Sequence, residues 1–283
     1  MNYMIKTGKD VGQAMEEQLD MNQIVGSHHI LMLCLDCLRY DAAVLEQEQG
    51  GTPNLNRYGS WRRCQAPGNF TYASHQAIFA GFFPVDEDVR EMSHREKLFF
   101  SSDIGMGRKA PKEAFHFQGP NLVEGLERVG YETYCIGGVS FFDNRSAVGK
   151  VLPSYFMHCD WNPSFGPKVK ESATHQIDVA LERLEECRVQ QKRVMMYMNI
   201  SALHYPNYFY IEGETKDNLA CHRAALRYVD KELGRLFKGF QSLGDTFVIC
   251  FSDHGTCYGE DGVWFHGVNH PNVLTVPYKH FVL

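Results

Sequence analysis

Nowhere does this sequence approach the roughly 18 consecutive apolar residues of a membrane-spanning helix, so no span of that kind is expected. The first stretch, Met1 to Gln23, is polar and of mixed charge and lacks the apolar core of a secretory signal. Basic residues are outnumbered, 28 Lys and Arg against 34 Asp and Glu, and they form no stripe; the net charge of −6 argues against nucleic acid as a partner. Small anions are not excluded, because local charge decides there. Internal repeats and low-complexity tracts are also missing. The nine cysteines are an odd number, and several lie inside apolar runs. Read as buried free thiols, they place the chain in a reducing compartment, and a cytoplasmic location is the expectation.

What is present is an ordinary globular composition, 44% hydrophobic and 22% charged over 283 residues, enough to bury a large core. Apolar runs at Ile30–Leu35, Tyr131–Ile136, Val194–Ile200, Phe247–Phe251 and Thr275–Leu283 read as strands. Between them lie helical patterns over Asn121–Val129, Glu171–Val189 and Leu219–Phe237, and a helix start over Ser74–Phe82. Strands alternating with helices predict an α/β fold, a mostly parallel sheet flanked by helices on both faces. We divide the chain into an N-terminal extension, 1–26, and one domain over 27–283, interrupted by a charged, glycine-containing insertion or lid at 85–119.

Parallel sheets hold ligands beyond the C-terminal ends of their strands. Three segments with suitable chemistry sit at such ends: Asp36, the stretch Asn199 to His204, and Asp253-His254. Each aspartate could equally cap a helix, and each histidine could be a satisfied core residue. Taken together, two carboxylates and an imidazole from separate strand ends suit a divalent ion. In the loop Gly68–Gly81, Thr71 and Ser74 are either helix caps or hydroxyl nucleophiles, and the free amides of a helix start can bind the oxygens of an anionic ester. His266 and His270 form a dense cluster within Trp264–His270.

In order along about 250 residues, these segments resemble the sulfatase branch of the alkaline phosphatase superfamily. Leu35-Asp36-Cys37-Leu38-Arg39-Tyr40-Asp41 looks like the family's DDLRxD, and Thr52-Pro53-Asn54-Leu55 like its TPNLD. Thr71, ten residues before Gly81, falls at the nucleophilic cysteine of the CxPSRxxxxTG box. Gly130-Tyr131-Glu132-Thr133 resembles GYxT, His204-Tyr205-Pro206 resembles HxPY, and Tyr228-Val229-Asp230 with Leu233-Gly234-Arg235-Leu236 resembles YVDxxxGRL. Ser252-Asp253-His254-Gly255, Gly259-Glu260 and Val276-Pro277 echo SDHG, GE and VPL. The resemblance implies an alkaline-phosphatase-like fold; because the sequence stops at Phe281-Val282-Leu283, it is expected to lack the smaller C-terminal sheet that sulfatases carry past VPL.

Departures from the pattern narrow the activity. Threonine cannot be converted to formylglycine as the box's cysteine or serine is. The box's proline and arginine are Ala73 and His75, Cys37 replaces a second metal-binding aspartate, Gly138 stands at a lysine, and His266 stands where an active-site lysine precedes VPL. The resemblance then implies a metal-dependent hydrolase or transferase acting on a small anionic phosphate or phosphonate ester through a phosphothreonine at Thr71. It assigns Asp36, Thr71, Asp253 and His254 to a divalent metal, manganese or zinc, with magnesium or calcium as alternatives, at one site. The best substitutes for a second site are Asn199, His204 and His266. His204, His266 and His75 are the remaining catalytic candidates, for the leaving group, the substrate anion or the orientation of Thr71. Three other readings stay open: a sulfuric ester hydrolase, an inactive metal- or carbohydrate-binding relative, and a phosphosugar isomerase or mutase. Neither 85–119 nor the aromatic run Tyr205–Tyr210 has a readable specificity, and oligomeric state is not legible.

Overall fold

A computed structural model describes residues 19–81 and 119–283. The elements run α1 (Met21–Ile24), β1 (His29–Leu35), α2 (Tyr40–Glu48), β2 (Arg62–Gln65), α3 (Thr71–Ala80), α4 (Leu122–Arg128), β3 (Tyr131–Ile136) and β4 (His158–Asp160). They continue as α5 (Ser172–Gln190), β5 (Arg193–Ile200), α6 (Leu219–Leu243), β6 (Thr246–Phe251), β7 (Cys257–Tyr258), β8 (Trp264–Phe265), α7 (Pro271–Leu274) and β9 (Thr275–Val282). A seven-stranded sheet takes the order β2-β9-β6-β1-β5-β3-β4, and β7 pairs with β8 separately. Its centre, β6-β1-β5-β3-β4, is parallel, while β9 runs antiparallel to β6 and β2 antiparallel to β9.

The central strands read as unbroken apolar runs because both faces are covered. In β1, Leu31, Leu33 and Leu35 pack into one core with α5 and α6 residues such as Ile177, Leu184, Leu233 and Leu236. Alternate residues Ile30, Met32 and Cys34 face the opposite core, with Tyr72 and Phe79 of α3 and Val123 and Leu126 of α4. The strand period of two thus divides one run between two layers. Each fully buried leucine contributes about 1.5–3 kcal/mol, so β1 is an anchor of the fold.

Several family-like motifs turn out to be clamps. Asp230 on α6 accepts from the Leu55 amide at 2.8 Å and the Asn54 amide at 3.1 Å, fastening the Thr52–Leu55 turn. Arg39, buried, forks onto Asp41 at 2.9 and 2.6 Å and reaches Glu260, tying the end of β1 to the loop before β8.

The expected strands agree with the observed ones to within a residue or two. The helix expected from Ser74 begins three residues earlier, at Thr71, with Phe70 as N-cap and no side-chain cap bond, so neither Thr71 nor Ser74 is the cap. The helix from Leu219 runs on to Leu243. Residues 1–18 of the expected extension, and all of the expected 85–119 insertion except Gly119, lie outside the described residues. Within 19–26, Ile24 is buried, and the Gly26 amide donates to the Tyr131 hydroxyl at 2.9 Å.

Candidate active site

Strand register builds the site. Cys34 lies opposite Asn199 on β5 and Phe251 on β6, so the residues that follow emerge together at the C-terminal edge of the sheet. Asp36, its amide bonded to the Ile200 carbonyl at 3.1 Å, meets Asp253 and His254 there. The turn carrying the latter pair is pinned from both sides. Ser74 Oγ donates to the Asp253 carbonyl at 2.8 Å, and the Gly255 amide donates to the Val273 carbonyl at 2.7 Å. A Cβ at Gly255 would stand 2.0 Å from the Asn272 carbonyl oxygen, so this close approach requires glycine.

Thr71, at the first position of α3, completes the cluster. Its Oγ1 lies 3.3 Å from His254 Nε2, which is 3.5 Å from Asp253 Oδ2 and 3.9 Å from Asp36 Oδ1. His254 Nδ1–H donates to the Gly255 carbonyl at 2.8 Å, which leaves the Nε2 lone pair aimed at the cluster. Asp36 Oδ1 and Asp253 Oδ2 are buried with no hydrogen-bond partner among the described residues. Ligands about 2.0–2.2 Å from one ion in a tetrahedral array are separated by roughly 3.3–3.6 Å, close to the spacings seen here. These four side chains could hold a divalent cation.

The electrostatics agree. Burial disfavours the Asp36 carboxylate, but the His204 and His254 imidazoles and the Asn199 amide outweigh it and hold its carboxyl below the ordinary value. Burial, and then the charge of Asp36, push the Asp253 carboxyl well above that value. Two carboxylates in one dry pocket cannot both ionise cheaply without a cation between them. Burial also lowers His254, keeping its ring neutral.

The other expected residues separate into two groups. His75 is fully buried; its Nδ1–H donates to the Thr71 carbonyl at 2.6 Å, and its Nε2 accepts from the Tyr197 hydroxyl. It therefore holds the backbone of Thr71 rather than its hydroxyl. Asn199 is a brace: its Nδ2 donates to Asp36 Oδ2 at 2.8 Å, and its Oδ1 accepts from the Val139 amide at 3.2 Å. That removes it as a substitute ligand. A Cβ at Gly138 would meet the Asn199 carbonyl oxygen at 2.4 Å, so the lysine of the family pattern has no room there. His204 and His266 do reach the site, with ring centroids 5.3 Å apart and His266 4.3 Å from His254. His270 is structural: it caps α7 by accepting from the Asn272 amide at 3.1 Å and bonds Asp261 at 3.1 Å.

Sequence reasoning missed Tyr197 and underused Cys37. Tyr197 lies in a strand that reads simply as core. Cys37 belongs to Cys34-Leu35-Asp36-Cys37, a spacing used by metal ligands, although the two thiols join different side-chain groups, Cys34 with His75 and Cys37 with His254 and His266. All nine cysteines are free.

A family model described as Sulfatase matches residues 29–278. The chain belongs to the sulfatase family. Among solved structures, this sulfatase-family chain is similar to the C-terminal periplasmic domain of the phosphoethanolamine transferase EptC from Campylobacter jejuni, with TM-score 0.60 and 15% identity over 90% of this chain and 79% of that one. It is similar to the corresponding EptC domain from Escherichia coli in complex with zinc, with TM-score 0.61 and 14% identity over 90% and 74% of the two chains. It also resembles a protein in the alkaline phosphatase superfamily from Vibrio parahaemolyticus, with TM-score 0.55 and 19% identity over 89% and 60%. At these identities the likeness fixes the fold, a mostly parallel alkaline-phosphatase-like sheet. No curated protein matches by sequence. No described helix of this sulfatase-family chain is long and apolar enough to cross a membrane.

Two buried rings of this sulfatase-family chain give its stability a pH dependence. Burial lowers His75 and His222 from 6.5 to about 4 in the folded chain. Between those values the unfolded chain binds more protons, so this stabilisation is complete above about pH 6.5 and is lost as pH falls through about 4, by roughly 3 kcal/mol per ring. Urea midpoints at pH 7 and 5 should fall less between the two pH values in His222→Gln than in the unmodified chain. Identical falls would remove His222 from the account.

Proposed function

We propose that the chain is a metal-dependent phosphoric-ester hydrolase or phosphotransferase that works through Thr71. The observation that carries this reading is the 3.3 Å approach of Thr71 Oγ1 to His254 Nε2, inside a group whose two carboxylates each present an oxygen with no hydrogen-bond partner among the described residues. Oγ1 attacks phosphorus in line, the bond to the leaving alcohol breaks, and the hydroxyl proton passes to solvent. Water or an acceptor hydroxyl then attacks the phosphothreonine and restores Thr71. Asp36, Thr71, Asp253 and His254 are the proposed metal ligands. A divalent cation bound there would lower the pKa of the hydroxyl and offset charge on the transferring group.

The residues around Thr71 have separable duties in this reading. The Tyr197–His75 pair fixes the Thr71 carbonyl, and so the direction from which Oγ1 approaches. His204 and His266 serve the leaving oxygen or the substrate anion. Threonine at the nucleophile position supports phosphorus over sulfur esters, and the phosphoethanolamine transferase named among the structural neighbours is consistent with transfer. The neighbour determined with zinc supports zinc over manganese, magnesium or calcium. Nine free thiols support a reducing, cytoplasmic setting, even though the EptC neighbours are periplasmic domains.

The test is a panel of chromogenic esters offered to the purified, metal-loaded chain: phosphomonoester, phosphodiester, phosphonate monoester and sulfate ester. Turnover should be confined to phosphorus esters. A preference for the sulfate ester would overturn the reading in favour of sulfuric ester hydrolysis, and bound metal with no turnover on any ester would make the chain an inactive relative.

A further inference from the structure

Away from the site, the edge of the sheet brings two thiols together. The parallel register of β3 and β4 sets Cys135 opposite Cys159, and both side chains pack on the core that holds Tyr72, Phe79 and Leu126, so the sulfurs share one face of the sheet. Neighbouring strands run about 4.8 Å apart, inside the roughly 4.4–6.8 Å that a disulfide spans between α-carbons. The two thiols already interact: burial, and then the hydrogen bond with Cys159, push the Cys135 thiol well above its ordinary value.

Access sets this pair apart from the other cysteines. Cys159 and Cys64 are half-buried, whereas the rest are buried. Cys64 lies opposite Val276 of β9, with no thiol across from it, so Cys159 alone combines access with a thiol opposite. β4 is three residues long and stands at the end of the strand order, free to lean toward β3 and bring the two β-carbons to the roughly 3.8 Å that the bond requires. Its position matters to the rest of the sheet. The Gly137 amide donates to the Asp160 carbonyl at 3.1 Å, and two residues later the Val139 amide donates to Asn199, the brace of Asp36.

We propose that Cys135 and Cys159 are a redox-active dithiol, which a small-molecule disulfide of the glutathione class converts reversibly to a protein disulfide that fastens the edge strand to β3. The pair stands whether or not Thr71 is a nucleophile. Cys159 gives up its thiol proton and attacks one sulfur of the small disulfide; that S–S bond breaks, and the departing thiolate takes up a proton. Cys135 then loses its proton and attacks the Cys159 sulfur, and the mixed disulfide breaks to release the second small thiol. Two protein thiols are oxidised, one small disulfide is reduced to two thiols, and the two protons lost by the cysteines are regained by the leaving groups. In a reducing setting the exchange runs back, so the disulfide is a transient state of the chain.

Oxidised glutathione offered to the full, folded chain tests this, with remaining thiols blocked by iodoacetamide and the digest mapped by mass. The peptides carrying Cys135 and Cys159 should appear joined, without attached glutathione, and dithiothreitol should separate them. Cys135→Ala should stop at a mixed disulfide on Cys159, whereas Cys159→Ser, a change at a half-buried position that the fold tolerates, should leave residue 135 unmodified. Amide exchange over residues 157–160 should slow in the oxidised chain and recover on reduction. Glutathione left standing on Cys159 of the unmodified chain, a cross-link between other cysteines, or both thiols untouched would overturn the dithiol. A disulfide that leaves the exchange of 157–160 unchanged would overturn the fastening of the edge strand.

Discussion

Thr71→Ala should reduce kcat by roughly 10³-fold or more on whichever phosphorus ester proves the best substrate, while the protein stays folded. Thr71 is almost fully buried, yet its hydroxyl has little structural work: its close neighbour is His254 Nε2, a nitrogen without a proton to give. The backbone of the helix start is held independently, by the His75–Tyr197 pair and by the Ser74 bond to the Asp253 carbonyl. Removing one hydroxyl and one methyl group therefore costs on the order of 1–2 kcal/mol in lost packing, too little to unfold a chain of this size. Thr71→Ser, which keeps the hydroxyl, should retain measurable turnover. Acid-quenched protein analysed by mass should carry one added phosphoryl group in the unmodified chain and in Thr71→Ser, and none in Thr71→Ala. Undiminished turnover in Thr71→Ala would remove Thr71 from the mechanism.

The two aspartates were legible because each ends an apolar run long enough to be a buried strand, and parallel strands gather their ends on one edge of the sheet. Thr71 was legible only through its place in an ordered series of motifs; by composition its segment is a loop entering a helix. Features with weak local signals were lost. α2 (Tyr40–Glu48) has its apolar run, Ala42 to Leu45, in one block rather than at helical spacing, and β2 (Arg62–Gln65) is a polar edge strand that owes its shape to β9. The role of His75 depends on Tyr197, more than a hundred positions away, and the direction of the Cys37 sulfur depends on a backbone angle that no spacing encodes. What a sequence shows well is periodicity and order. Long-range side-chain partnership it shows only where a family pattern carries it.

Asp253→Asn should uncouple the metal from the fold, and the argument turns on charge rather than shape. In the metal-free chain Asp253 and Asp36 are buried together, and burial followed by the Asp36 charge already pushes the Asp253 carboxyl well above its ordinary value. Asparagine has nearly the same outline, and its oxygen can still accept the Cys37 amide hydrogen that Asp253 Oδ1 takes at 3.3 Å. The substitution therefore removes a repulsive charge without opening a cavity, and the metal-free variant should melt at or above the temperature of the metal-free unmodified chain. Metal binding responds in the opposite sense. A ligand at 100 times its Kd stabilises the folded state by roughly 2.7 kcal/mol, and one kcal/mol moves Tm by roughly 2–4 °C in a chain of 150–250 residues. Chelation should accordingly lower the Tm of the metal-loaded unmodified chain by about 5–10 °C and leave that of Asp253→Asn where it was, with turnover lost in both. An unmodified chain whose Tm and turnover ignore the chelator would refute a metal at Asp36, Thr71, Asp253 and His254. A variant less stable than the chelated unmodified chain would instead show that Asp253 supports the fold through its hydrogen bonds more than it burdens it through its charge.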